Sequence, residues 1–425
     1  MNIGIIGSGG REHALCKKIS ESKSVNKVIC FPGNAGTSTL ALNVEVDILN
    51  FKKLLNLIKF YEIKLVIIGP EEPLVKGLVD FLKRHKINVF GPNKYASKLE
   101  GSKAFMKKIC FDNGIPTARF KICRNLKQVN KFLKNSDYPV VVKADGLAAG
   151  KGVSICKNKK KVIEDSSEIF RGKFKSSKKV ILEEFLKGEE ASYFVIVDNK
   201  SFKFFGSAQD HKRVFENDKG PNTGGMGAYS PAPVINKALE KKIINKIIKP
   251  TLQALRNKRN SYRGFLYVGL MIKEGEPYLI EYNIRMGDPE CQVILPRLKT
   301  DLFKILKAAT ENKLKNLSIL WKKEKSMTVV LCAKGYPGKY KKNLKLNKIH
   351  KIKLFNNDYI FHAGTKLLNG QLLTNGGRIL NITSLGISYV KIRKNIISIL
   401  KKINFKQGFF RKDIGWRVIN KNANY

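Results

Sequence analysis

The sequence predicts an α/β and α+β protein of several domains, and three observations carry that expectation. Strand and helix patterns alternate through the first hundred residues, a glycine-rich hairpin and several strands fill the middle, and short strands with Gly-rich turns begin near residue 327. At 425 residues the chain is long enough for two to four units, each with its own core. Hydrophobic residues at 43% and charged residues at 27% are ordinary for a soluble globular enzyme.

"NIGIIG", "KVICF", "KLVIIGPEEP" and "INVFGP" read as strands. Between them "REHALCKKISES", "NFKKLLNLIKFYEI" and "LVKGLVDFLKRH" carry apolar residues at three- and four-residue spacing and read as helices. Strands alternating with such helices imply a parallel, doubly wound sheet, a Rossmann-like N-terminal domain over residues 1–102. Its first turn, Gly7-Ser8-Gly9-Gly10-Arg11-Glu12, has Glu12 where the third fingerprint glycine belongs, and "CFPGN" offers no acidic residue to a ribose. NAD is therefore not expected. The turn is either a tight entry to a helix or an anion site at that helix's N-terminus, and a phosphorylated ligand is the favoured reading.

A helix at "SKAFMKKICFDNG" opens a middle region, residues 103–326, with a smaller unit at about 118–186. That unit holds "VVVKADGLAAGKGVSI", which imitates a P-loop without being one. Three residues rather than four separate Gly146 from Gly150-Lys151, Gly152 replaces the hydroxyl residue, and the segment after it is β-patterned rather than helical. It reads as a hairpin with lysines at both ends. "SYFVIVD", "FKFFGSAQDHKR", "GFLYVGLMIKEG" and "EPYLIEYNIRMGDPE" follow as strands, with a long helix at "KALEKKIINKIIKPTLQALRNK". In the last strand a period of two puts Glu281, Asn283 and Arg285 on one face. A carboxylate, an amide oxygen and a guanidinium suit magnesium and a phosphoryl group, although a solvated strand face looks the same. "VILEEFLKGEE" is either an ordinary junction or a linker presenting backbone atoms to an adenine. "SAQDHKRVFENDKGPNTGGMGAYSPAP" is expected to be largely irregular and functional, with His211 at the surface. Residues 327–425 read as a small α+β domain ending in the helix "ISYVKIRKNIISILKKI".

Several function classes are disfavoured. Seven scattered cysteines without C-x-x-C spacing argue against disulfides and zinc and for a reducing cytoplasm. No apolar run approaches the roughly 18 residues of a membrane span, and "MNIGIIGSGG" does not read as a signal peptide. The formal charge of +47 comes from 81 Lys and Arg against 34 Asp and Glu. Its lysines are spread end to end and its arginines are unclustered, so no specific nucleic acid is expected. Nothing suggests covalent or redox chemistry, and His13, His85, His350 and His362 show no metal spacing.

Taken together, "GSGGREHAL", "PGNAG", "GPEEPLVKG", "LEGSKAF", "KADGLAAGKGV", "EEFLKGEEAS", "QDHKR", "GPNTGGMGAYSPAP", "GFLYVGLM", "FHAGT", "TNGGR" and "RKDIGWR" resemble, in order and over essentially the whole chain, the glycinamide ribonucleotide synthetase family of the ATP-grasp superfamily. The resemblance implies an ATP-grasp fold across 103–326 and a carbon–nitrogen ligase of de novo purine synthesis. That enzyme joins glycine to 5-phosphoribosylamine through a glycyl phosphate, with ATP and Mg2+ or Mn2+. By position it implies Lys103 and Lys143 on the ATP phosphates, Lys151 on the moving lid, backbone atoms of Glu183 and Leu186 for adenine, and Glu190 for ribose. Glu281 and Asn283 would be metal ligands, with Arg285 beside the transferred phosphoryl. Gly9, Gly10, Pro70, Glu71, Asp210, Lys212, Arg213, Asn222, Thr223, Gly224, Arg285, Asp288 and Pro289 would form the glycine and phosphoribosylamine pocket, with Asp210 as ammonium binder or proton acceptor. The resemblance implies a cytoplasmic enzyme of a single activity, with no membrane partner, compatible with a monomer and with transient contacts to neighbouring pathway enzymes. The alternatives are another ATP-grasp ligase, using bicarbonate or formate, and a catalytically dead basic relative that binds nucleic acid.

Overall fold

The computed structural model describes residues 1–148, 152–174, 177–258, 260–347 and 349–421. The N-terminal region is the predicted parallel sheet, in the order Leu42–Asn43, Lys27–Pro32, Asn2–Gly7, Ile63–Ile68, Val89–Phe90. Its central strands are buried on both faces, which is why they read as unbroken apolar runs. Ile3, Ile5, Leu65 and Ile67 pack in one core cluster with Leu15 and Ile19 of the helix Gly10–Ser20. Ile6, Val66 and Ile68 pack in another with Leu54, Ile58 and Leu78. The single helix expected at "LVKGLVDFLKRH" is two, Glu71–Lys76 and Leu78–Arg84. They break at Gly77, whose φ of 92° is left-handed and costs glycine nothing.

A four-stranded antiparallel sheet, Phe120–Cys123, Val180–Glu184, Val140–Ala144, Val153–Cys156, carries the helices Leu126–Leu133 and Lys159–Phe170. Val153–Cys156 is thus the strand expected from the β-patterning that follows the glycines. The largest sheet has nine strands. It runs Glu276–Asn283, Gly264–Lys273, Glu189–Val197, Phe202–Asp210, Gly227–Ser230, Lys325–Ala333, Arg378–Gly386, Asp358–His362, with Gly408–Phe409 beside Lys325–Ala333. The C-terminal strands therefore continue the sheet of the middle region, joined where Gly227–Ser230 pairs with Lys325–Ala333.

Three further expectations are corrected. The strand "EPYLIEYNIRMGDPE" ends at Asn283, so Arg285 lies beyond the period-two pattern. The segment after Asp210 is not irregular: Arg213–Phe215 and Lys219–Asn222 form a hairpin, and Gly227–Ser230 enters the large sheet. Its strands lack apolar alternation, the signal by which strands are read. The long helix after Asn236 contains a π turn at Ile244–Ile248 before Lys249–Asn257. Among the described residues no helix is long and apolar enough to cross a membrane.

Candidate active site

A cleft of about 1230 Å³ opens between the four-stranded sheet, the edge of the nine-stranded sheet and the N-terminal region. On one side Lys143 projects from Val140–Ala144 and Glu183 from Val180–Glu184. The Glu183 carboxylate bridges two ammonium groups, Lys143 Nζ at 2.9 Å and Lys107 Nζ at 2.9 Å. Lys107 is fully buried and also donates to Thr117 Oγ1 (2.7 Å). Burial pushes the Glu183 carboxyl up, but the two cations outweigh it and hold it below the usual range. Lys103 opens the helix Lys103–Asp112, capped by the Ser102 hydroxyl, and donates to the Gly146 carbonyl at the root of the hairpin (3.3 Å). Burial lowers its pKa, against the pull of Glu281. Leu186 and Glu190 line the cleft at the turn into the strand Glu189–Val197, where Glu190 pairs with Lys212 (2.8 Å). Lys151 lies outside the described residues.

Across the cleft, Glu281 and Asn283 share one face of Glu276–Asn283, paired opposite Gly269 and Tyr267. Arg285 reaches the same cleft from beyond the strand end, bridging Glu71 (Nε, 3.1 Å) and Glu100 (Nη2, 2.7 Å). Arg285 holds Glu71 down at about 2. Burial raises Glu100 to about 7 in spite of the same guanidinium. Only one orientation of the Asn283 amide satisfies its surroundings, with the nitrogen donating to Glu100 Oε1 (3.1 Å) and the Tyr282 carbonyl (3.1 Å). Its oxygen is then the atom left for a cation. No group of three His, Cys, Asp or Glu could hold a metal among the described residues. One carboxylate with one amide oxygen suits Mg2+, which takes few protein ligands and fills its octahedron with phosphate oxygens and water.

At the far end, Asp210 closes the strand Phe202–Asp210 with its Oδ1 buried and unpartnered, and burial, with Glu290 nearby, raises its pKa. Lys212, Arg213, Asn222, Thr223 and Gly224 line the cleft on the hairpin and the turn after it. Thr223 Oγ1 donates to the Lys212 carbonyl (2.9 Å) and accepts from Gly225 N–H (3.0 Å), while Gly224 N–H donates to the Tyr336 hydroxyl (3.1 Å). Asp288 is met by Arg378, which pairs with its Oδ1 (3.4 Å), donates to its carbonyl (2.6 Å) and also reaches the Gly224 carbonyl.

Gly9, Gly10, Pro70 and Pro289 stand behind this lining. The N-terminus of the helix Gly10–Ser20 already faces carboxylates: Gly9 N–H donates to Glu12 Oε2 (2.6 Å), and Asp288 accepts from the Arg11 backbone. Gly10 permits close packing, because a Cβ there would lie 2.5 Å from Gln292 Nε2 and Asn381 Nδ2. In this structure the turn is a packed, acid-capped entry to the helix. Pro70 precedes the helix Glu71–Lys76, and Pro289 packs against Gly225. His211, expected at the surface, is fully buried, and its Nε2 accepts from Gly415 N–H (2.9 Å). Arg11, Glu100, Glu290 and Arg378 line the cleft and Lys107 backs it, yet none was singled out from the sequence. Arg11, Glu100 and Arg378 sit inside the motifs that carry the resemblance, Glu290 and Lys107 inside segments read only as a strand and a helix, and only their long-range partners reveal them.

A glycine-hairpin subdomain closing a cleft against a strand that carries Glu and Asn defines an ATP-grasp protein. The solved biotin carboxylase of Campylobacter jejuni shares that fold at a TM-score of 0.73 and 15% identity, covering 100% of this chain and 97% of its own. The phosphoribosylglycinamide synthetase N domain matches residues 1–100, the ATP-grasp (A) domain residues 101–291 and the C domain residues 326–417. The chain belongs to the phosphoribosylglycinamide synthetase family. Phosphoribosylamine–glycine ligase of Brucella melitensis is 42% identical over 422 residues, 99% of each chain. The solved phosphoribosylamine–glycine ligase of Thermotoga maritima superposes with a TM-score of 0.85 at 34% identity, over 97% of this chain and 100% of that one.

Proposed function

We propose that the protein ligates glycine to 5-phosphoribosylamine with ATP, releasing glycinamide ribonucleotide, ADP and phosphate, as a cytoplasmic enzyme of purine synthesis. The observation that carries this is one continuous cleft in which Lys103, Lys143, Glu281 and Asn283 open directly onto Asp210, Lys212 and the 222–224 turn. Nucleotide and acceptor therefore share a chamber. Residues 1–102, 103–326 and 327–425 serve as acceptor-side, nucleotide and covering domains.

Glycine's carboxylate is a poor electrophile until a carboxylate oxygen takes the γ-phosphoryl of ATP. The ribosylamine nitrogen then attacks the carbonyl carbon, the C–O bond to phosphate breaks, and the amine proton is lost. Lys103 and Lys143 bind the nucleotide phosphates, Lys143 held in place by Glu183. Backbone atoms of Glu183 and Leu186 hold the adenine edge, and Glu190 the ribose. Arg285 offsets charge on the moving phosphoryl. Glu281 and the Asn283 oxygen would hold Mg2+, or Mn2+, which when bound neutralises phosphate charge. Asp210 and Lys212 bind the ammonium and carboxylate of glycine; Arg213, Asn222, Thr223, Gly224 and Asp288 orient the sugar amine, with Glu71 and Pro70 completing the wall. The hairpin at 144–153, with Lys151, excludes water from the acyl phosphate.

The test is ADP release with phosphoribosylamine generated in situ. Turnover must require both glycine and the sugar amine and vanish in Glu281→Ala. Glycine labelled with 18O in its carboxylate must pass one label to inorganic phosphate. Turnover indifferent to glycine would remove the substrate assignment, and unlabelled phosphate would remove the acyl phosphate.

A further inference from the structure

We infer that Glu100 is a positioning residue for the cation site: it selects which end of the Asn283 amide faces the cleft and holds Arg285 beside it. This rests on the reading of Asn283 as a cation ligand. Glu100 belongs to the short helix Lys98–Gly101, outside the strand that carries the ligands, and its side chain is 7% exposed. Both of its oxygens are spent on the end of that strand. Oε2 accepts from Ile284 N–H (2.8 Å); Oε1 accepts from Arg285 Nη2 (2.7 Å) and from the Asn283 amide nitrogen (3.1 Å). Three consecutive residues, Asn283, Ile284 and Arg285, thus hang on one carboxylate.

The chemistry of the amide makes this more than packing. An Asn side chain has an acceptor end and a donor end of nearly equal size, and only the oxygen can ligate a cation. The groups that meet Glu100 here are all donors and its oxygens accept from each, so it takes the amide nitrogen and turns the oxygen away from itself. Inverting the amide would set its oxygen against Oε1 in a buried site, where unpaired acceptors are costly. A glutamine in place of Glu100 offers one acceptor end where the carboxylate offers two, so it cannot serve the Ile284 N–H and the Arg285 and Asn283 donors together, and its hold on the amide that the Tyr282 carbonyl also orients is weakened. An aspartate in place of Asn283 needs no such selection, since either of its oxygens can ligate.

The experiment is calorimetric titration of the full chain with ADP, in MgCl2 and in EDTA, so that the readout is the Mg2+-dependent gain in affinity rather than turnover. Asn283→Ala fixes the size of the gain this ligand supplies. Glu100→Gln is expected to lower the gain by about 10–100-fold, the range found when a ligand's outer partner is removed. ADP affinity in EDTA should stay within about twofold, because Lys103 and Lys143 are untouched. Glu100→Gln/Asn283→Asp should recover most of the loss. If Glu100→Gln unfolds the chain, Glu100→Asp must show the loss instead, since it draws the carboxylate back from Asn283 and keeps its charge. A wild-type gain in Glu100→Gln beside a loss in Asn283→Ala overturns the inference and leaves the ligand reading standing. A wild-type gain in Asn283→Ala overturns both. An equal fall in EDTA, or failure of the double variant to recover, reduces Glu100 to a structural role and overturns the proposal.

Discussion

Glu183→Gln is expected to be the costliest single-atom change in the nucleotide half of the cleft. The carboxylate is 3% exposed and is 2.9 Å from each of two ammonium groups, one of them fully buried. Its neutralisation leaves Lys107 and Lys143 facing each other across an amide that can accept from only one of them. Removing one partner of a buried ion pair costs about 3–5 kcal/mol, and two cations orphaned at once place this change at the upper end. Lys107→Met leaves Glu183 paired with Lys143 and should cost less. Glu183→Gln/Lys107→Met removes one of the stranded cations and should be more stable than Glu183→Gln alone. The measurement is urea unfolding, with free energies taken from midpoint and slope. The ATP KM should rise in Glu183→Gln, because Lys143 loses its anchor. The acid limb adds a second check. Since the folded pKa of Glu183 lies below its unfolded value, its stabilisation is complete above the ordinary carboxylate range and disappears as pH falls through the folded pKa. Glu183→Gln should therefore flatten that limb. A Glu183→Gln chain within about 1 kcal/mol of wild type, or a double variant less stable than it, would refute the reasoning.

The remaining predictions concern other parts of the molecule. His13 and His362 meet between the first helix and the C-terminal sheet, where His362 N–H donates to His13 Nδ1 (2.8 Å). Burial, with the neighbouring His362, lowers His13 to about 3, and burial lowers His362 to about 4. Both are neutral in the fold, so stability should be full above about pH 6.5 and fall with a slope of up to two protons, about 2.7 kcal/mol per pH unit, toward pH 4. His13→Asn should halve that slope in urea midpoints taken across the range. Arg411, 1% exposed, grips Asp413 (2.8 and 2.7 Å), Asp218 (2.9 Å) and the Arg213 carbonyl (2.9 Å). Arg411→Met should cost about 3–5 kcal/mol and raise the phosphoribosylamine KM several-fold with ADP binding in calorimetry unchanged. The charge of +47 should speed capture of anionic substrates, so kcat/KM falls as salt shortens the Debye length from about 20 Å to about 6 Å while kcat holds.

The parallel sheet was legible because strands buried on both faces leave apolar runs between amphipathic helices. The cleft was legible where motifs carry it, as at Lys143, Glu281 and the 222–224 turn. What stayed hidden is pairing across distance. Lys107 is spelled like any solvated lysine of a lysine-rich chain, and only the fold brings Glu183 against it, 76 residues on. Glu100 looks like one more helix-end acid until Asn283, Ile284 and Arg285 arrive from the other side. The hairpin Arg213–Phe215 and Lys219–Asn222 has only Val214 and Phe215 as apolar residues, side by side in one strand, with Lys-Gly-Pro-Asn in the other; no apolar alternation announces it, and the C-terminal Arg411 and Arg417 hold it through Asp218.

Those examples share a direction. Among the described residues, eleven acidic side chains line the cleft against nine basic ones, in a chain that has 34 of the first kind and 81 of the second. The lysine excess that dominates the sequence stops at the site. A drift toward lysine is tolerated wherever the ammonium reaches water, since exposed ion pairs contribute little. It is not tolerated where a carboxylate must hold one cation at one distance, as Glu183 holds Lys143 and Glu71 holds Arg285. In this chain the scarcer charge therefore marks function more sharply than the abundant one. Long-range capture and local recognition are consequently separable: surface lysines supply the first and can be exchanged in groups, with kcat/KM following net charge. The cleft acids supply the second, and a single Glu183→Gln or Glu100→Gln exchange should do what a whole group of surface Lys→Gln exchanges does not.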